Sequence, residues 1–345
     1  MYSRPHHHMT HVLVTGAAGY VASRLLHRHL FPLAQEGRIR LTLTDRDLPS
    51  GPASISQEHL RCVASDLSEP MSWHALLSDP VDLVFHLAGI VSGRAEAEFE
   101  AGRDLNLMGT LACLELLGQQ RPHRDSPVRF IYASSIAVFG TPLPAQIDEQ
   151  TPTHPSLSYG VHKRMVELML HDLSRRDLVD GRALRLSGVV VRPPSPNGAL
   201  SGFNSDIIRE PLEGREFVCP VLPSGCIWLM SSDVAADQLW TLSQLSPSEW
   251  SNRRATHAPE VVVNAPSWPL RIGALLQALG QIDPQAPSRI RFDPQAPLQA
   301  QFGNWPDKTD FSLGQALGLP SDKQRFDGQV PAFLLAALRS IQPHP

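Results

Sequence analysis

The chain has 345 residues, of which 42% are hydrophobic and 19% charged, and its formal net charge is −4. This length is enough for a large core, in one domain of two lobes or in two domains. The charge balance and the lack of a long basic run argue against nucleic acid as the main partner. No apolar stretch of the sequence approaches the ~18 residues of a membrane span.

The first eight residues, MYSRPHHH, predict a disordered leader or the remnant of a tag. They contain no apolar segment of the kind that a secretory signal needs. The four cysteines form no CxxC pair, which predicts reduced thiols in a cytoplasmic protein. No histidine, cysteine and acidic cluster has metal-site spacing, so we expect no metal.

A short buried strand, a glycine turn and a helix follow one another near the start of the chain. Residues 11–15, HVLVT, form the β-branched run of a buried parallel strand, and a helical pattern of apolar residues begins at Val21. Between them Gly16 permits a tight turn, and Gly19 lets backbone N–H groups approach a pyrophosphate at the positive end of the helix. This order of elements is the context of a dinucleotide site. The cofactor contacts predicted in it are Gly16, Ala18, Gly19, Tyr20 and Val21.

The next three predicted strands, at residues 39–44, 59–64 and 81–87, extend the same site. The strand at 39–44 ends at Asp45, whose carboxylate can accept both ribose hydroxyls of NAD and would repel the 2′-phosphate of NADP. Arg46 comes next, and an arginine at this position can sometimes admit NADP. The sequence therefore favours NAD but does not exclude NADP. The strand at 81–87 closes with Ala88-Gly89, small residues that let the chain pass close to a cofactor. The cofactor contacts predicted here are Asp45, Arg46, Asp66, Leu67, Leu87, Ala88 and Gly89.

Tyr159 and Lys163 stand four residues apart in SYGVHKRMVELML, and positions i and i+4 share one face of a helix. A free tyrosine has a pKa near ~10, and a cation held close to it lowers that pKa by favouring the phenolate. Such a tyrosine can exchange a proton with an alcohol or a carbonyl oxygen. Upstream, Ser134 and Ser135 close a strand predicted at 128–133. Ser134 is expected to be a structural hydrogen-bonding residue.

Strands and helices alternate along the chain as far as residue 191. A long helical pattern covers about residues 95–120 and contains Asn106, and a strand-like run covers residues 183–191. The alternation predicts right-handed βαβ units and an α/β fold, a Rossmann-type doubly wound parallel sheet covered on both faces. Ligands of such sheets bind at the carboxyl ends of the strands, where the residues above should converge. Leu186 and Val189, in the last run, are two further predicted cofactor contacts.

The composition changes after Arg192, where RPPSPNGALSG is rich in proline, glycine and serine and predicts a loop or hinge. We expect an NAD-binding domain at residues 9–191 and a smaller substrate-binding lobe that takes up most of residues 192–345. Elements at about 226–264 are expected to return to the first domain. Among them is a helix that follows a potential N-cap at Ser231-Ser232-Asp233.

Four segments, TGAAGYVA, FHLAG, SSIAVFG and YGVHK, occur in an order that resembles the extended short-chain dehydrogenase/reductases, a group that includes nucleotide-sugar epimerases and dehydratases. The resemblance spans nearly the whole chain after Met9. It implies NAD as the cofactor, a catalytic set of Ser135, Tyr159 and Lys163, and a homodimer built on the helices near Asn106 and Tyr159. Asn106 would hold a water or a helix bend for proton relay, or would be a plain helix-bend residue.

Longer segments, such as VVVRPPSPNGALSGFNSDIIREPLEGREFVCPV, are similar to a branch of this family that oxidises a four-carbon sugar acid, D-erythronate, at C2 with NAD. The branch implies a small sugar acid as substrate. The implied substrate contacts are Ser92, Ser135, Tyr159, Ser187 and Gly188, with Asn197, Phe203 and Arg209 as weaker candidates. Arg209 would bind the substrate carboxylate or be an ordinary salt-bridged arginine.

Three functions remain open at this point. The leading one is an NAD-dependent dehydrogenase of a small polyhydroxy acid. The second is a nucleotide-sugar epimerase, or a ketone reductase, of the same superfamily. An epimerase must hold a bulky diphosphate, and residues 192–220 contain only three arginines, which favours a small substrate. The third, an NAD-binding sensor without turnover, is disfavoured because both Tyr159 and Lys163 are present.

Overall fold

Seven parallel strands form the central sheet of the computed structural model, which describes residues 9–194, 200–254 and 260–340. The strands in these residues are β1 (Thr10–Thr15), β2 (Ile39–Asp45), β3 (Leu60–Ala64), β4 (Leu83–His86), β5 (Val128–Ser135), β6 (Gln146–Ile147), β7 (Val179–Leu186), β8 (Gly188–Val190), β9 (Phe217–Cys219), β10 (Cys226–Ser231), β11 (Val262–Asn264), β12 (Trp268–Arg271), β13 (Ile290–Phe292) and β14 (Lys308–Thr309). The central sheet has the order β11-β7-β5-β4-β1-β2-β3, and all of its pairs are parallel.

Helices connect most of these strands. The α-helices are α1 (Tyr20–Leu25), α2 (Phe31–Gln35), α3 (Pro70–Leu76), α4 (Ser92–Ala97), α5 (Phe99–Arg103), α6 (Thr110–Gln120), α7 (Ser158–Arg175), α8 (Phe203–Leu212), α9 (Ser232–Gln244), α10 (Pro247–Arg254), α11 (Ile272–Ile282), α12 (Ala296–Leu298), α13 (Ser312–Ala316), α14 (Asp322–Arg325) and α15 (Val330–Arg339). Turns of π-helix occupy Leu26–Leu30, Asp104–Gly109 and Gln299–Gly303, and 3₁₀ turns occupy Arg121–His123, Ile136–Val138, Leu200–Gly202 and Ala286–Arg289.

Neighbouring residues of the central strands are buried together. Leu13 and Val14 of β1 are both 0% exposed, as are Val84 and Phe85 of β4. Because successive side chains of a strand point to opposite faces of the sheet, both faces must be covered. The doubly wound α/β fold predicted from the sequence is therefore confirmed.

The order of the strands reverses beside β1. β2 and β3 continue the sheet on one side of it, and β4, β5, β7 and β11 continue it on the other. A crevice opens where the chain connections part, at the carboxyl ends of the strands. Asp45, His86 and Ser135 end their strands at this edge, which is where the sequence predicted that the site residues converge.

A second hydrophobic core forms the smaller lobe. It packs the sheet of β8, β10 and β12 against α8, α11 and α15, around side chains such as Ile208, Leu229 and Phe333. The chain then returns to the central sheet, because α9 packs against α1 and β11 pairs with β7. This return starts at α9, later than the predicted residue 226, since β10 pairs with β8 and β12 of the smaller lobe. Ser231 caps α9 as predicted, accepting a hydrogen bond from the Val234 backbone.

Two elements predicted as continuous are divided. The strand predicted at 183–191 is β7 and β8, which join different sheets on either side of Ser187. The helix predicted at about 95–120 breaks at Glu98, whose backbone is not helical (φ −121°, ψ 67°). It also contains the π-helical turn at Asp104–Gly109. Apolar periodicity does not reveal a break of a single residue, so the pattern alone could not locate either division.

None of the helices within residues 9–194, 200–254 and 260–340 is long and apolar enough to cross a membrane. In the same residues no group of three or more histidine, cysteine or acidic side chains could hold a metal ion.

Candidate active site

A cleft with a volume of about 1380 Å³ runs along the carboxyl ends of the central strands. The turns after β1, β2, β4 and β5 form one side of it, and segments of the smaller lobe form the other. The predicted site residues that line it are Gly16, Ala18, Gly19, Tyr20, Val21, Asp45, Arg46, Asp66, Leu67, Leu87, Ala88, Gly89, Ser92, Ser135, Tyr159, Lys163, Leu186, Ser187, Gly188 and Val189. Their contacts with a cofactor or a substrate stay predictions.

The turn between β1 and α1 requires glycine because another backbone passes against it. Gly16 has φ +66°, and a Cβ atom there would lie 2.6 Å from the backbone nitrogen of Ala88. A Cβ atom on Gly89 would lie 3.0 Å from Oδ1 of Asn106. The chain segments that follow β1 and β4 therefore meet in a narrow cradle, with the start of α1 at Tyr20 in the wall of the cleft. Such a cradle fits the pyrophosphate of a dinucleotide.

The carboxylate of Asp45 lies at the end of β2, against the glycine turn. Its Oδ2 accepts a hydrogen bond from the Ala18 backbone at 3.0 Å, and its Oδ1 accepts one from the Arg46 backbone at 2.7 Å. An ionised carboxylate has about four acceptor sites, so capacity remains for hydroxyl donors from the cleft. Such a carboxylate fits the ribose hydroxyls of a nicotinamide dinucleotide, and its contact with the cofactor stays a prediction.

Tyr159 lies in the first turn of α7 and lines the cleft. Burial raises the pKa of Tyr159, while the positive charge of Arg192 and a hydrogen bond with Ser135 act to lower it. The sequence predicted a lowered pKa with Lys163 as the responsible cation. That prediction is wrong, because burial outweighs the favourable contacts and the cation that acts most on the phenol is Arg192.

Lys163 lies one turn further along α7. Its Nζ donates a hydrogen bond to the Ala133 carbonyl at 2.8 Å and lies 5.6 Å from the centre of the Tyr159 ring and 4.6 Å from that of the Tyr132 ring. Burial lowers the pKa of Lys163 to about 8, although the charge of Glu167 raises it. The ammonium group is thus held between β5 and α7, on the cleft side where Tyr159 lies.

A buried ion pair fixes α7 to the central sheet behind these residues. Glu167 is 0% exposed and accepts hydrogen bonds from Nε and Nη2 of Arg185 at 2.9 and 2.8 Å. The Ser134 hydroxyl donates to Glu167 at 2.6 Å, which confirms the structural role predicted for Ser134. A bidentate pair between arginine and a carboxylate fixes the relative orientation of the two side chains as well as stabilising their contact. Through these contacts β5 and β7 set the position of α7, the helix that carries Tyr159 and Lys163.

Asn106 does not line the cleft. It is buried in the π-helical turn, and its side chain accepts a hydrogen bond from the Ile90 backbone at 2.8 Å and donates one to the Ile90 carbonyl at 2.9 Å. These two bonds hold the segment after β4 against the cofactor side of the cleft. The contacts are those of a positioning residue, and a part in proton relay stays a prediction.

Of the weaker substrate candidates, the two that are described point away from the cleft. Phe203 is buried in the second core beside Phe302, with ring centres 6.4 Å apart. Arg209 is 5% exposed, is ion-paired with Asp206 and Glu210, and donates to the Arg192 carbonyl. The structure therefore does not bring either side chain into the cleft, because α8 directs them into its own lobe. The third candidate, Asn197, lies outside the described residues.

Several cleft residues were missed by the sequence interpretation. Arg192 and Asn204 line the cleft from the segments after β8 and in α8, and Trp228 and Trp305 line it as well. Arg192 had one available signal, since it is a cation placed directly after the buried run VVV. The two tryptophans had none, because they come from distant parts of the chain that only the fold brings together.

The strand order, the glycine cradle and the acidic end of β2 define a nicotinamide-dinucleotide enzyme of the Rossmann type. The sequence model of the NAD dependent epimerase/dehydratase family matches residues 12–247, which is more than half of the chain. The chain belongs to this family, and the family resemblance inferred from its motifs is confirmed.

Two relatives align over almost their whole length. D-erythronate dehydrogenase of Cupriavidus necator is 36% identical over 334 residues, covering 94% of this chain and 97% of the relative. D-erythronate dehydrogenase of Haemophilus influenzae is 32% identical over 327 residues, covering 94% of this chain and 98% of the relative.

Among solved structures, the nucleoside-diphosphate-sugar epimerase from Agrobacterium tumefaciens is similar with a TM-score of 0.83 and 30% identity, and covers 98% of this chain and 97% of that one. The GalE-like L-threonine dehydrogenase from Cupriavidus necator has a TM-score of 0.77 at 20% identity, with 96% of this chain and 99% of that one covered, and shares the fold.

Proposed function

We propose that this chain is an NAD-dependent dehydrogenase that oxidises a secondary hydroxyl of a small sugar acid, of the D-erythronate type, at C2. The observation that carries the proposal is the Tyr159 phenol in a dinucleotide-sized cleft, with Ser135 and the cations Lys163 and Arg192 around it. The two dehydrogenase relatives, aligned over nearly their full length, support the choice of reaction and of substrate class.

In this mechanism the chain handles the proton. When bound in the cleft, the nicotinamide cofactor supplies the hydride acceptor. Tyr159, as phenolate, accepts the proton of the substrate hydroxyl on its phenolic oxygen, and Arg192 favours that ionised form. Ser135 orients the substrate oxygen toward Tyr159, and Lys163, whose Nζ lies 5.6 Å from the centre of the Tyr159 ring, holds the cofactor ribose.

The cofactor is proposed to be NAD rather than NADP, because Asp45 would meet a 2′-phosphate with a negative charge. Asp45→Ala should weaken NAD binding by roughly tenfold or more through the loss of charged hydrogen bonds, and should weaken NADP binding less. Fluorescence titration with both reduced cofactors measures this. Asp47→Ala is the matched control, since that exposed aspartate does not line the cleft. Equal losses for the two cofactors would remove Asp45 from the ribose site.

An absorbance screen at the reduced-nicotinamide band tests the proposed reaction. The chain is incubated with NAD or NADP and with D-erythronate, threonate and other short sugar acids, and with nucleotide sugars for comparison. We expect cofactor reduction with a four-carbon acid and none with nucleotide sugars. Conversion of a nucleotide sugar without net cofactor reduction would replace the proposal by an epimerase, the alternative that the name of the Agrobacterium tumefaciens structure supports.

We further propose a reducing, cytoplasmic setting. All four cysteines are free, and three of them are buried. Burial raises the pKa of the Cys226 thiol to about 11, which keeps it protonated and unreactive. Recovery of the activity from an extracellular fraction would contradict this setting.

We propose that a second copy of the chain covers an apolar patch on α5, α7 and the π-helical turn between α5 and α6. On α7, Val161, Met165 and Leu168 lie at positions i, i+4 and i+7, on one face, and are 38%, 46% and 48% exposed. Phe99 and Met108 extend the patch and are 53% and 51% exposed. Contiguous exposed apolar surface of this kind marks an interface.

Met165→Glu should convert the dimer to a monomer, because it places a charge in the middle of the proposed interface. Light scattering after size-exclusion chromatography gives the mass. Leu48→Glu is the control, since Leu48 is 68% exposed and lies after β2, away from the patch. A wild-type chain that runs as a monomer at micromolar concentration would overturn the proposal.

A further inference from the structure

We propose that Arg192 binds the carboxylate of the substrate and thereby selects hydroxy acids over neutral polyols and sugars. The inference rests on the proposed function, since it assigns the acid group of that substrate to one side chain. Arg192 follows β8, the first strand of the smaller lobe's sheet, and it lines the cleft.

Three hydrogen bonds fix the position of Arg192. Its backbone nitrogen donates to the Ser205 hydroxyl at 3.0 Å, and its carbonyl accepts a hydrogen bond from Nη1 of Arg209 at 2.6 Å. Its own Nε donates to the Val189 carbonyl at 3.1 Å. The sequence offered Arg209 as the residue that binds the carboxylate. In the structure Arg209 instead holds the backbone of Arg192, which lines the cleft. A guanidinium fixed in this way loses little freedom when it binds a ligand.

The charge of Arg192 has no acidic partner. No carboxylate in the described part of the chain forms an ion pair with it, and its terminal Nη1 and Nη2 donate to no described residue. Other arginines nearby are paired, as Arg209 is with Asp206 and Arg94 is with Glu98. A partly buried cation without a counter-charge is costly, and a planar guanidinium can bind a carboxylate through two parallel hydrogen bonds. The free side of Arg192 therefore fits a carboxylate ligand.

The place of Arg192 matches the geometry of a 2-hydroxy acid. In such a substrate the carboxylate is bonded directly to the carbon that is oxidised, so its binding residue must lie beside the proton acceptor. Arg192 is the charged group that acts most strongly on the Tyr159 phenol, and its field acts to lower the pKa of Tyr159 against the effect of burial. An arginine remote from Tyr159 could not hold the carboxylate and leave C2 in reach of the phenol.

Unpaired polar atoms lie in the same wall of the cleft. The hydroxyl of Ser187 and Oδ1 of Asn204 are buried and have no hydrogen-bond partner among the described residues. Gly188 leaves the space that Asn204 occupies, because a Cβ atom there would lie 2.8 Å from its Nδ2. Ser187 and Asn204 thus give the cleft polar groups that the described residues leave unused, in keeping with a polyhydroxy ligand.

The competing role for Arg192 is a bond to a cofactor phosphate, since Tyr20 of the glycine turn also lies within its electrostatic reach. Arg192→Gln, assayed with bound NAD, separates the two roles. Measured at a pH above the ionisation of Tyr159, the KM for D-erythronate is expected to rise by about tenfold to a hundredfold, with a much smaller change in kcat and an unchanged Kd for NAD. Arg175→Gln, which removes an exposed arginine paired with Asp172 outside the cleft, should change none of these constants. A loss of NAD affinity as large as the loss of acid affinity would assign Arg192 to the cofactor and overturn the inference.

Two further measurements do not require the variants to turn over. Calorimetry should detect malonate, a dicarboxylate with no hydroxyl to oxidise, binding to the wild-type chain with NAD, and binding should be lost in Arg192→Gln and partly regained in Arg192→Lys. If the wild type oxidises D-erythronate and its neutral amide with equal kcat/KM, the inference fails and the proposed function stands. If the wild type oxidises no sugar acid but binds malonate through Arg192, the proposed function fails and the anion site stands.

Discussion

Replacing Tyr159 with phenylalanine is expected to lower kcat for oxidation by roughly two to four orders of magnitude, the usual contribution of a general base. The change removes only the phenolic oxygen, whose polar neighbours are Arg192 and Ser135. The ring remains, and with it the packing that holds Nζ of Lys163 at 5.6 Å from its centre. NAD affinity should therefore stay near the wild-type value. Initial rates and a fluorescence titration with the reduced cofactor measure the two quantities separately.

Tyr132→Phe is the matched control for this substitution. The Tyr132 ring is also close to Lys163, but its hydroxyl is buried and has no hydrogen-bond partner among the described residues. Loss of an unpaired buried hydroxyl is neutral or stabilising, so turnover should be retained. If Tyr159→Phe were as active as Tyr132→Phe, another group would have to accept the proton.

Replacing Glu167 with glutamine is expected to lower the free energy of unfolding by about 3–5 kcal/mol, because it leaves the buried Arg185 without its counter-charge. Glu167 and Arg185 are 0% and 1% exposed, so solvent cannot compensate for the loss. The substitution also weakens the hydrogen bond from Ser134. The urea concentration at half-unfolding, with an unchanged dependence on urea, measures the effect.

Glu260→Gln is the control for the stability effect, because Glu260 is 26% exposed and pairs with Arg164 near the surface. Its loss should cost about 1 kcal/mol or less. Glu167 also raises the pKa of Lys163, which burial lowers to about 8, so the Glu167→Gln variant should lose the positive charge of Lys163 at a lower pH than the wild type. Equal stability of the two glutamine variants would show that the buried pair does not hold α7 to the sheet.

The sequence predicted the central sheet well because its information is local. Buried strands such as Leu13–Val14 of β1 are runs of apolar residues between turn signals, and each acid, serine or glycine that ends a strand stands directly after such a run. The handedness of βαβ connections then limits the topologies that such strands can form. The smaller lobe could not be derived in this way, because β8, β10 and β12 pair across long separations and only their tertiary contacts bring them together.

The residues of the candidate site also differ in how well the sequence predicted their positions. Residues at strand ends, such as Asp45 and Ser135, were placed correctly because the fold class fixes their edge of the sheet. Phe203 and Arg209 were misplaced because the direction of a side chain on α8 depends on how that helix packs. The effect of burial on the pKa of Tyr159 was also out of reach, since spacing in a sequence does not report how much solvent a phenol loses.

The pH dependence of kcat/KM for the sugar acid, at saturating NAD, tests the role of Tyr159 most directly. In the wild type it should rise with pH through the ionisation of Tyr159, because only the phenolate accepts the proton. In Arg192→Gln the same ionisation should move to higher pH, since Arg192 lowers the pKa of Tyr159 and its loss removes that effect. The residual activity of Tyr159→Phe should lack the ionisation. A wild-type profile that persists unchanged in both variants would contradict the account.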